Sequence, residues 1–164
     1  MADSGQTVTN SGKKVLIAID GSKHSHFAFE WYAETVYKPS DEVIIGFCSE
    51  IGTHLSATAV QASPATLHAL VEKHEGKAKE IFDSFDKIAN KYNIQHKLER
   101  LHDPPGENIV KFAHENNVDL IIAGSRGHGT LRRTIMGSVS DYIVHHSHVP
   151  VLICKHKDEH HKIK

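Results

Sequence analysis

Short apolar runs, each separated from the next by a polar or periodic stretch, recur along the chain. Five of these runs have the length of strands rather than of helices, and the run 42–48 is also rich in β-branched residues. They cover residues 14–20, 42–48, 94–101, 119–123 and 149–155. Four are apolar nearly throughout, which predicts strands covered on both faces. The run 94–101 alternates apolar and polar residues, which predicts a wetter strand at a sheet edge.

The stretches between these runs carry helical periodicity. Apolar residues at three- and four-residue steps predict helices over 22–37 and 64–93, a third that ends before Asn116-Asn117, and a short one over 138–146. Strands alternating with helices predict a mostly parallel sheet with helices on both faces. Ligands bind such sheets beyond the carboxyl ends of the strands, which points to Asp20, Cys48 and Gly124.

Composition limits the class of protein. The chain has 164 residues, 39% of them apolar and 24% charged, which is typical of one globular domain. We expect a flexible segment over 1–12, the domain over 13–156 and a flexible polar tail over 157–164. Two cysteines exclude a disulfide scaffold. With no secretory signal and no membrane-spanning run, a cytoplasmic protein without a membrane partner is expected. The net charge of -1 argues against a nucleic-acid partner.

Glycines concentrate between the fourth strand and the last helix, in the sequence GSRGHGTLRRTIMGSV from Gly124 to Val139. Glycine lets backbone approach a ligand closely, and N–H groups at a helix N-terminus attract anions. The segment therefore predicts a phosphate-binding loop, and the alternative is an ordinary glycine-rich turn. A Walker A loop is excluded because Thr130, not lysine, follows Gly129. A dinucleotide fingerprint is excluded because no Gly-x-Gly-x-x-Gly follows the first strand.

The glycines also have a particular spacing: Gly124, two residues, Gly127, nine residues, then Gly137-Ser138. Together with a first strand ending at Asp20, and with GSVSDYIVHHSHVPVLI leading into the last strand, this spacing resembles the ATP-binding branch of the universal stress protein family. The resemblance covers about residues 14–155. It implies an α/β fold of the Rossmann-like, adenine nucleotide alpha hydrolase-like type, a doubly wound sandwich whose five-stranded parallel sheet has the order 3-2-1-4-5.

The resemblance implies a site for ATP or AMP. Asp20 would hold the ribose and adenine side, and Cys48 would contact adenine through its backbone, so its unusual side chain should not abolish binding. The residues implied for the phosphates are Gly124, which shapes the loop, and Gly127, Gly137, Ser138 and Val139. Mg²⁺ is an optional companion of the phosphates. The resemblance also implies a homodimer along the last strand, and the alternative is an edge shielded by the chain's own tail.

Some assignments have a plainer alternative. Asp20 suits an ordinary Asp-Gly-Ser turn, and Ser138 suits a helix N-cap. The guanidinium of Arg126 suits a phosphate tail, as do those of Arg132 and Arg133, but all three are equally compatible with solvated side chains. Of the three we favour Arg126 or Arg133.

Histidine is abundant, 15 of 164 residues. Candidate zinc or copper ligands are the pair His24 and His26 and the groups His145, His146, His148 and His156, His160, His161. The pairs 24/26 and 145/146 point apart on a helix, and 160/161 lie in the expected flexible tail, so we expect no metal site and no convergence of the histidines. The many histidines would nevertheless make the protein more positively charged near pH 6.

The first functional hypothesis is an adenine-nucleotide-binding regulator of the stress response. The alternative is a slow ATPase of the same fold, for which His128 is the single candidate base, held poorly in a glycine-flanked loop. An ATP pyrophosphatase-like transferase would need Ser-Gly-Gly-x-Asp-Ser after strand one, where the chain has only Asp-Gly-Ser. A flavodoxin-type flavin carrier would place its phosphate loop after strand one rather than strand four.

Overall fold

The structure, a computed structural model, describes residues 12–48, 62–127 and 136–156. Within these ranges strands and helices alternate as the sequence predicts. The elements are β1 (Lys14–Ile19), α1 (Lys23–Thr35), β2 (Glu42–Cys48), α2 (Pro64–Lys91), β3 (His96–Leu101), α3 (Pro105–Glu115), β4 (Leu120–Gly124), α4 (Ser138–His146) and β5 (Val151–Cys154). None of these helices is long and apolar enough to cross a membrane.

The five strands form one parallel sheet in the order β3-β2-β1-β4-β5, which confirms the expected topology. In the central strand, Ile19 is paired with Phe47 of β2, and Ala18 with Ala123 of β4. The carboxyl ends of β1, β2 and β4 therefore lie side by side. The chain leaves β1 toward β2 on one side and later returns to β4 on the other, so this edge is the switch point where doubly wound sheets bind ligands.

Alternate residues of β1 face opposite layers of the sandwich. Val15, Ile17 and Ile19 pack into the apolar layer beneath α1 and α2, whereas Leu16 and Ala18 pack into the layer beneath α3 and α4. All five are buried. Fully burying a valine, leucine or isoleucine contributes about 1.5–3 kcal/mol, so this strand anchors both halves of the core. The near-continuous apolar run in the sequence follows from having two layers to fill.

The third strand begins two residues later than predicted. Asn93 has a φ of 53°, a left-handed conformation that ends α2, and the N–H of Ile94 donates to the carbonyl of Ala89 instead of joining the sheet. Ile94 is buried as the closing residue of the helix. The expectation that this strand is wet and lies at an edge is confirmed, since four of its six residues, from Lys97 to Arg100, are exposed.

A buried carboxylate holds the amino end of the sheet, opposite the expected site. Asp41 accepts hydrogen bonds from the backbone N–H of Lys13 at 3.0 Å, the backbone N–H of Lys38 at 3.2 Å and the hydroxyl of Tyr32 at 3.0 Å. Burial alone would raise the pKa of Asp41, but these hydrogen bonds outweigh it and lower the pKa. The carboxylate thus joins the start of β1 to α1 and to the turn before β2.

Candidate functional site

The turn after β1 orients the carboxylate of Asp20. Its Oδ1 accepts the backbone N–H of Ser22 at 2.9 Å. Ser22 is the N-cap of α1, and its Oγ accepts the N–H of Ser25 at 3.2 Å. Between them, Gly21 has a φ of 79°, which disfavours any side chain, and a Cβ there would lie 2.8 Å from Ile81 of α2. The sequence Asp-Gly-Ser therefore fixes Asp20 at the carboxyl edge of the sheet.

The end of β4 packs closely beneath the first turn of α1. A Cβ on Gly124 would lie 2.7 Å from the carbonyl carbon of His24, so only glycine fits without a shift of backbone. The carbonyl of Gly124 accepts the buried hydroxyl of Ser140 at 2.7 Å. This bond ties the start of α4 to the end of β4.

The structure brings Asp20, Gly127 and Gly137 together. A Cβ on Gly127 would lie 2.5 Å from Oδ2 of Asp20, and a Cβ on Gly137 would lie 3.6 Å from the nitrogen of Gly127. The N–H of Gly137 donates to the carbonyl of Ser125 at 2.9 Å. Residues 125–127 therefore lie between the acid of β1 and the first turn of α4. The glycine spacing in the sequence therefore places Gly127 beside the carboxylate of Asp20, and Gly137 beside the backbone of residues 125–127.

The helix α4 begins at Ser138, as predicted, with Gly137 rather than Ser138 in the N-cap position. Gly137 has no side chain to cap the helix, and its own N–H donates to the carbonyl of Ser125. The first-turn N–H groups of Ser138 and Val139 have no acceptor within the helix itself. Val139 meanwhile anchors this turn by packing its side chain against the core. Such an end attracts anions through the N–H groups and the helix dipole.

Cys48 is the last residue of β2, next to the end of β1. Its thiol points into the protein, 3.7 Å from the carbonyl oxygen of His102 and 3.8 Å from that of Pro105. Burial, with a smaller contribution from the charge of Asp103, raises the pKa of Cys48 to about 12. The thiol is therefore neutral at physiological pH and unsuited to act as a nucleophile. Any contribution of this residue at the sheet edge comes from its backbone.

Arg126 lies beside Gly137 and is partly buried; its Cα would be 3.3 Å from a Cβ on Gly137. The other basic candidates, Arg132 and Arg133, lie outside the described residues, as does His128. The hydroxyl of Ser140 was not among the residues expected from the sequence, because the Ser-x-Ser spacing in α4 gives no sign of a contact with a strand end 16 positions earlier.

The prediction that the histidines do not converge is wrong for one pair. The rings of His24 and His156 lie edge to face with centroids 5.9 Å apart, because the first turn of α1 packs beside the end of β5. His24 is buried, with 6% of its surface exposed. Across residues 12–48, 62–127 and 136–156, no group of three or more His, Cys, Asp or Glu side chains is placed to hold a metal ion.

Comparison with known proteins agrees with this architecture. The profile of the Universal stress protein family matches residues 12–155. A putative universal stress protein of Staphylococcus aureus (strain USA300) is 29% identical over 145 residues, which are 87% of this chain and 84% of that protein. The solved structure of hypothetical protein MJ0577 is similar with a TM-score of 0.72 and 26% identity over 90% of this chain and 99% of that one.

A universal stress protein family member of Arabidopsis thaliana, solved with AMP bound, has a TM-score of 0.64 and 19% identity, and the match covers 88% of this chain and 92% of that one. At this identity the likeness concerns the fold. The match to the family profile extends from before β1 to beyond β5, and its range includes Gly124, Gly127 and Gly137. The chain belongs to the universal stress protein family.

Proposed function

We propose that this protein binds one adenine nucleotide, AMP or ATP, in the cleft between the ends of β1 and β4, and that it acts as a nucleotide-dependent regulator in the stress response. The observation that carries the proposal is the contact of Asp20 with Gly127 beside the first turn of α4. It places an oriented carboxylate, suited to sugar hydroxyls, near a helix end of the kind that attracts anions. The Arabidopsis relative holding AMP supports the choice of an adenine nucleotide.

The cleft suggests a role for each part of the ligand. The Asp20 carboxylate, oriented by the N–H of Ser22 on Oδ1, would accept hydrogen bonds from the ribose hydroxyls. Adenine would lie toward the end of β2, against the backbone of Cys48. The phosphates would extend across Gly127 to the N–H groups of Ser138 and Val139. Gly124 and Gly137 would set the shape of the loop, and Arg126 would neutralise part of the phosphate charge.

Mg²⁺ is proposed only as a companion of ATP. It keeps several waters and binds through phosphate oxygens in many nucleotide sites, so it does not need a cage of protein ligands.

The last strand is proposed as the interface of a homodimer. β5 lies at the sheet edge, and Val151, Leu152 and Ile153 are only partly buried. Beside it lies an apolar groove of about 430 Å³, lined by Phe27 and Trp31 of α1 together with residues 152–156. An apolar edge of this kind invites strand pairing with a second chain. Sedimentation should give twice the chain mass of 18.2 kDa, and a monomer at micromolar concentration contradicts the dimer.

A cytoplasmic location remains a prediction from the sequence.

Calorimetry with purified protein tests the nucleotide site. We expect AMP and ATP to bind with one site per chain and GMP to bind more weakly. If neither AMP nor ATP gives a binding signal in the titration, the proposal is contradicted. Phosphate release from Mg-ATP separates a regulator from the slow ATPase. Sustained release that survives repurification and disappears in Gly127→Ala would favour the enzyme.

A further inference from the structure

One side chain of α2 packs directly on the turn that carries Asp20. A Cβ at Gly21 would lie 2.8 Å from both Cγ1 and Cδ1 of Ile81, so these two atoms rest against the α-carbon of the glycine. Ile81 is itself buried, with 8% of its surface exposed, and it belongs to the apolar layer that α1 and α2 form with the sheet. The turn beside the candidate site is therefore covered by a side chain from another element.

The conformation of Gly21 determines how the Asp20 carboxylate is held. The hydrogen bond from the N–H of Ser22 to Oδ1 of Asp20, 2.9 Å long, spans Gly21, so the backbone angles of this residue set the distance between donor and acceptor. Glycine adopts more backbone conformations than other residues, and the φ of 79° at Gly21 is only one of those open to it. A contact from outside the turn can therefore stabilise one conformation of it, and Ile81 supplies such a contact.

Contacts between α1 and α2 hold Ile81 in place. The rings of His26 on α1 and Phe85 on α2 have centroids 4.3 Å apart, and Nε2 of His26 lies 3.2 Å from the hydroxyl oxygen of Ser84. Ser84 and Phe85 lie three and four residues after Ile81, which is about one helical turn. This part of α2 therefore cannot slide or rotate past Gly21 without breaking these contacts.

A change at Gly21 would be felt at both oxygens of Asp20. The N–H of Ser22 holds Oδ1, and Oδ2 faces Gly127, where an added Cβ would lie 2.5 Å from it. If the turn relaxes, the carboxylate rotates and Oδ2 moves relative to Gly127. The packing of Ile81 is thus connected to the orientation of the acid through two backbone units, without a polar contact of its own.

We propose that Ile81 is a positioning residue of the nucleotide site. By packing on Gly21 it preserves the hydrogen bond between Ser22 and Asp20, and it thereby keeps the carboxylate turned toward the ribose of a bound adenine nucleotide. The proposal rests on the proposed nucleotide site. It adds α2 to the elements that determine the affinity, although the ligand itself lies at the ends of β1 and β4.

The experiment compares Ile81→Ala with Ile94→Ala, the matched control. Ile94 is a buried isoleucine of the same apolar layer, with 2% of its surface exposed, and it closes the carboxyl end of α2. Truncating either side chain removes the same atoms from the core, so both variants should lose stability to a similar extent. Calorimetry gives the Kd for AMP of each variant and of the wild type. NMR gives the hydrogen-exchange rate of the Ser22 amide in each protein without ligand.

We expect Ile81→Ala to raise the Kd for AMP about three- to tenfold, the range expected when one hydrogen bond to a charged group is weakened. The Ser22 amide should exchange faster in this variant, because its bond to Asp20 opens more often. Ile94→Ala should keep the wild-type Kd and the wild-type exchange rate at Ser22. Ile81→Val keeps Cγ1 and loses Cδ1, so both of its values should lie between those of the wild type and Ile81→Ala.

An unchanged Kd in Ile81→Ala, or an unchanged exchange rate at Ser22, would overturn the role of Ile81 and leave the nucleotide site standing. Equal losses in Ile81→Ala and Ile94→Ala would overturn it as well, since they would show a general loosening of the core. No AMP binding by the wild type would overturn the proposed function and this inference with it. If either alanine variant does not fold, Ile81→Val and Ile94→Val are compared by the same two measurements, and the same outcomes decide.

Discussion

Replacing Gly127 by alanine tests the contact on which the site depends. The new Cβ would lie 2.5 Å from Oδ2 of Asp20 and 3.7 Å from its Cγ, whereas real Cβ contacts essentially never fall below 3.0 Å. The carboxylate must therefore retreat. The movement strains the 2.9 Å hydrogen bond from the N–H of Ser22 and turns the carboxylate away from the position proposed for the ribose.

The size of the effect follows from the bonds at risk. A hydrogen bond to a charged group contributes about 1.5–3 kcal/mol, and about 1.4 kcal/mol is a factor of ten in affinity. We expect Gly127→Ala to weaken AMP binding about ten- to hundredfold. The free energy of unfolding should fall by at most about 1.5 kcal/mol, because the displaced carboxylate of Asp20 can be hydrated.

Gly76→Ala is the matched control for this variant. Gly76 lies within α2 and is exposed, and a Cβ added there would meet no atom within 4 Å. Alanine is favoured over glycine inside a helix by about 0.5–1 kcal/mol, so this variant should be slightly more stable and bind AMP like the wild type. Calorimetry gives both affinities, and urea unfolding gives both stabilities. Wild-type affinity in Gly127→Ala, with Gly76→Ala also unchanged, would refute the placement of the ligand against Asp20.

Two further predictions concern stability. Ser140→Ala should lower the free energy of unfolding by about 1–3 kcal/mol, because it leaves the carbonyl of Gly124 without its 2.7 Å donor; a loss below the error of urea unfolding contradicts this. Asp41→Asn should cost about 2–4 kcal/mol at pH 7, since the donors from Lys13 and Tyr32 lose a charged acceptor. Because folding lowers the pKa of Asp41, its contribution is complete above the ordinary value of 3.8 and is lost as the pH falls through the lower folded value. Urea midpoints of variant and wild type should therefore converge in acid, and a constant gap would refute the assignment.

The pattern of apolar runs predicted the alternation of strands and helices and a mostly parallel sheet, whereas the strand order was implied by the family resemblance. The two-sided burial of β1 appears in the sequence as an unbroken apolar run, and the wetter edge strand β3 appears as an alternating one. The start of β3 differed from the prediction because of a local backbone conformation at the end of α2. At Asn93, a left-handed residue closes α2 before the strand begins. Asparagine favours this conformation, but the apolar pattern alone does not separate Ile94 from the strand that follows.

Only those residues of the candidate site that lie near the end of a predicted strand could be located from the sequence. Asp20 directly follows β1 and Gly124 ends β4, so the alternation of elements predicts that both lie at one edge of the sheet. Gly127 and Gly137 were assigned to the same site by the family resemblance. The supporting contacts could not be predicted in the same way. The hydroxyl of Ser140 on Gly124, and the imidazole of His26 between Ser22 and Ser84, join residues that are distant in sequence and meet only through helix packing. A histidine-rich composition gave no sign of which ring would be held in this manner.

The most direct measurement is an NMR titration of the ¹⁵N-labelled protein with AMP. We expect saturable shifts of the backbone amides of Ser22, Cys48, Gly127, Ser138 and Val139, which surround the cleft at the carboxyl edge of the sheet. Amides of Lys13 and Asp41 at the opposite edge should stay in place. A spectrum that does not change with AMP or ATP, or one whose changes are confined to the β5 edge, would contradict a nucleotide site in this cleft.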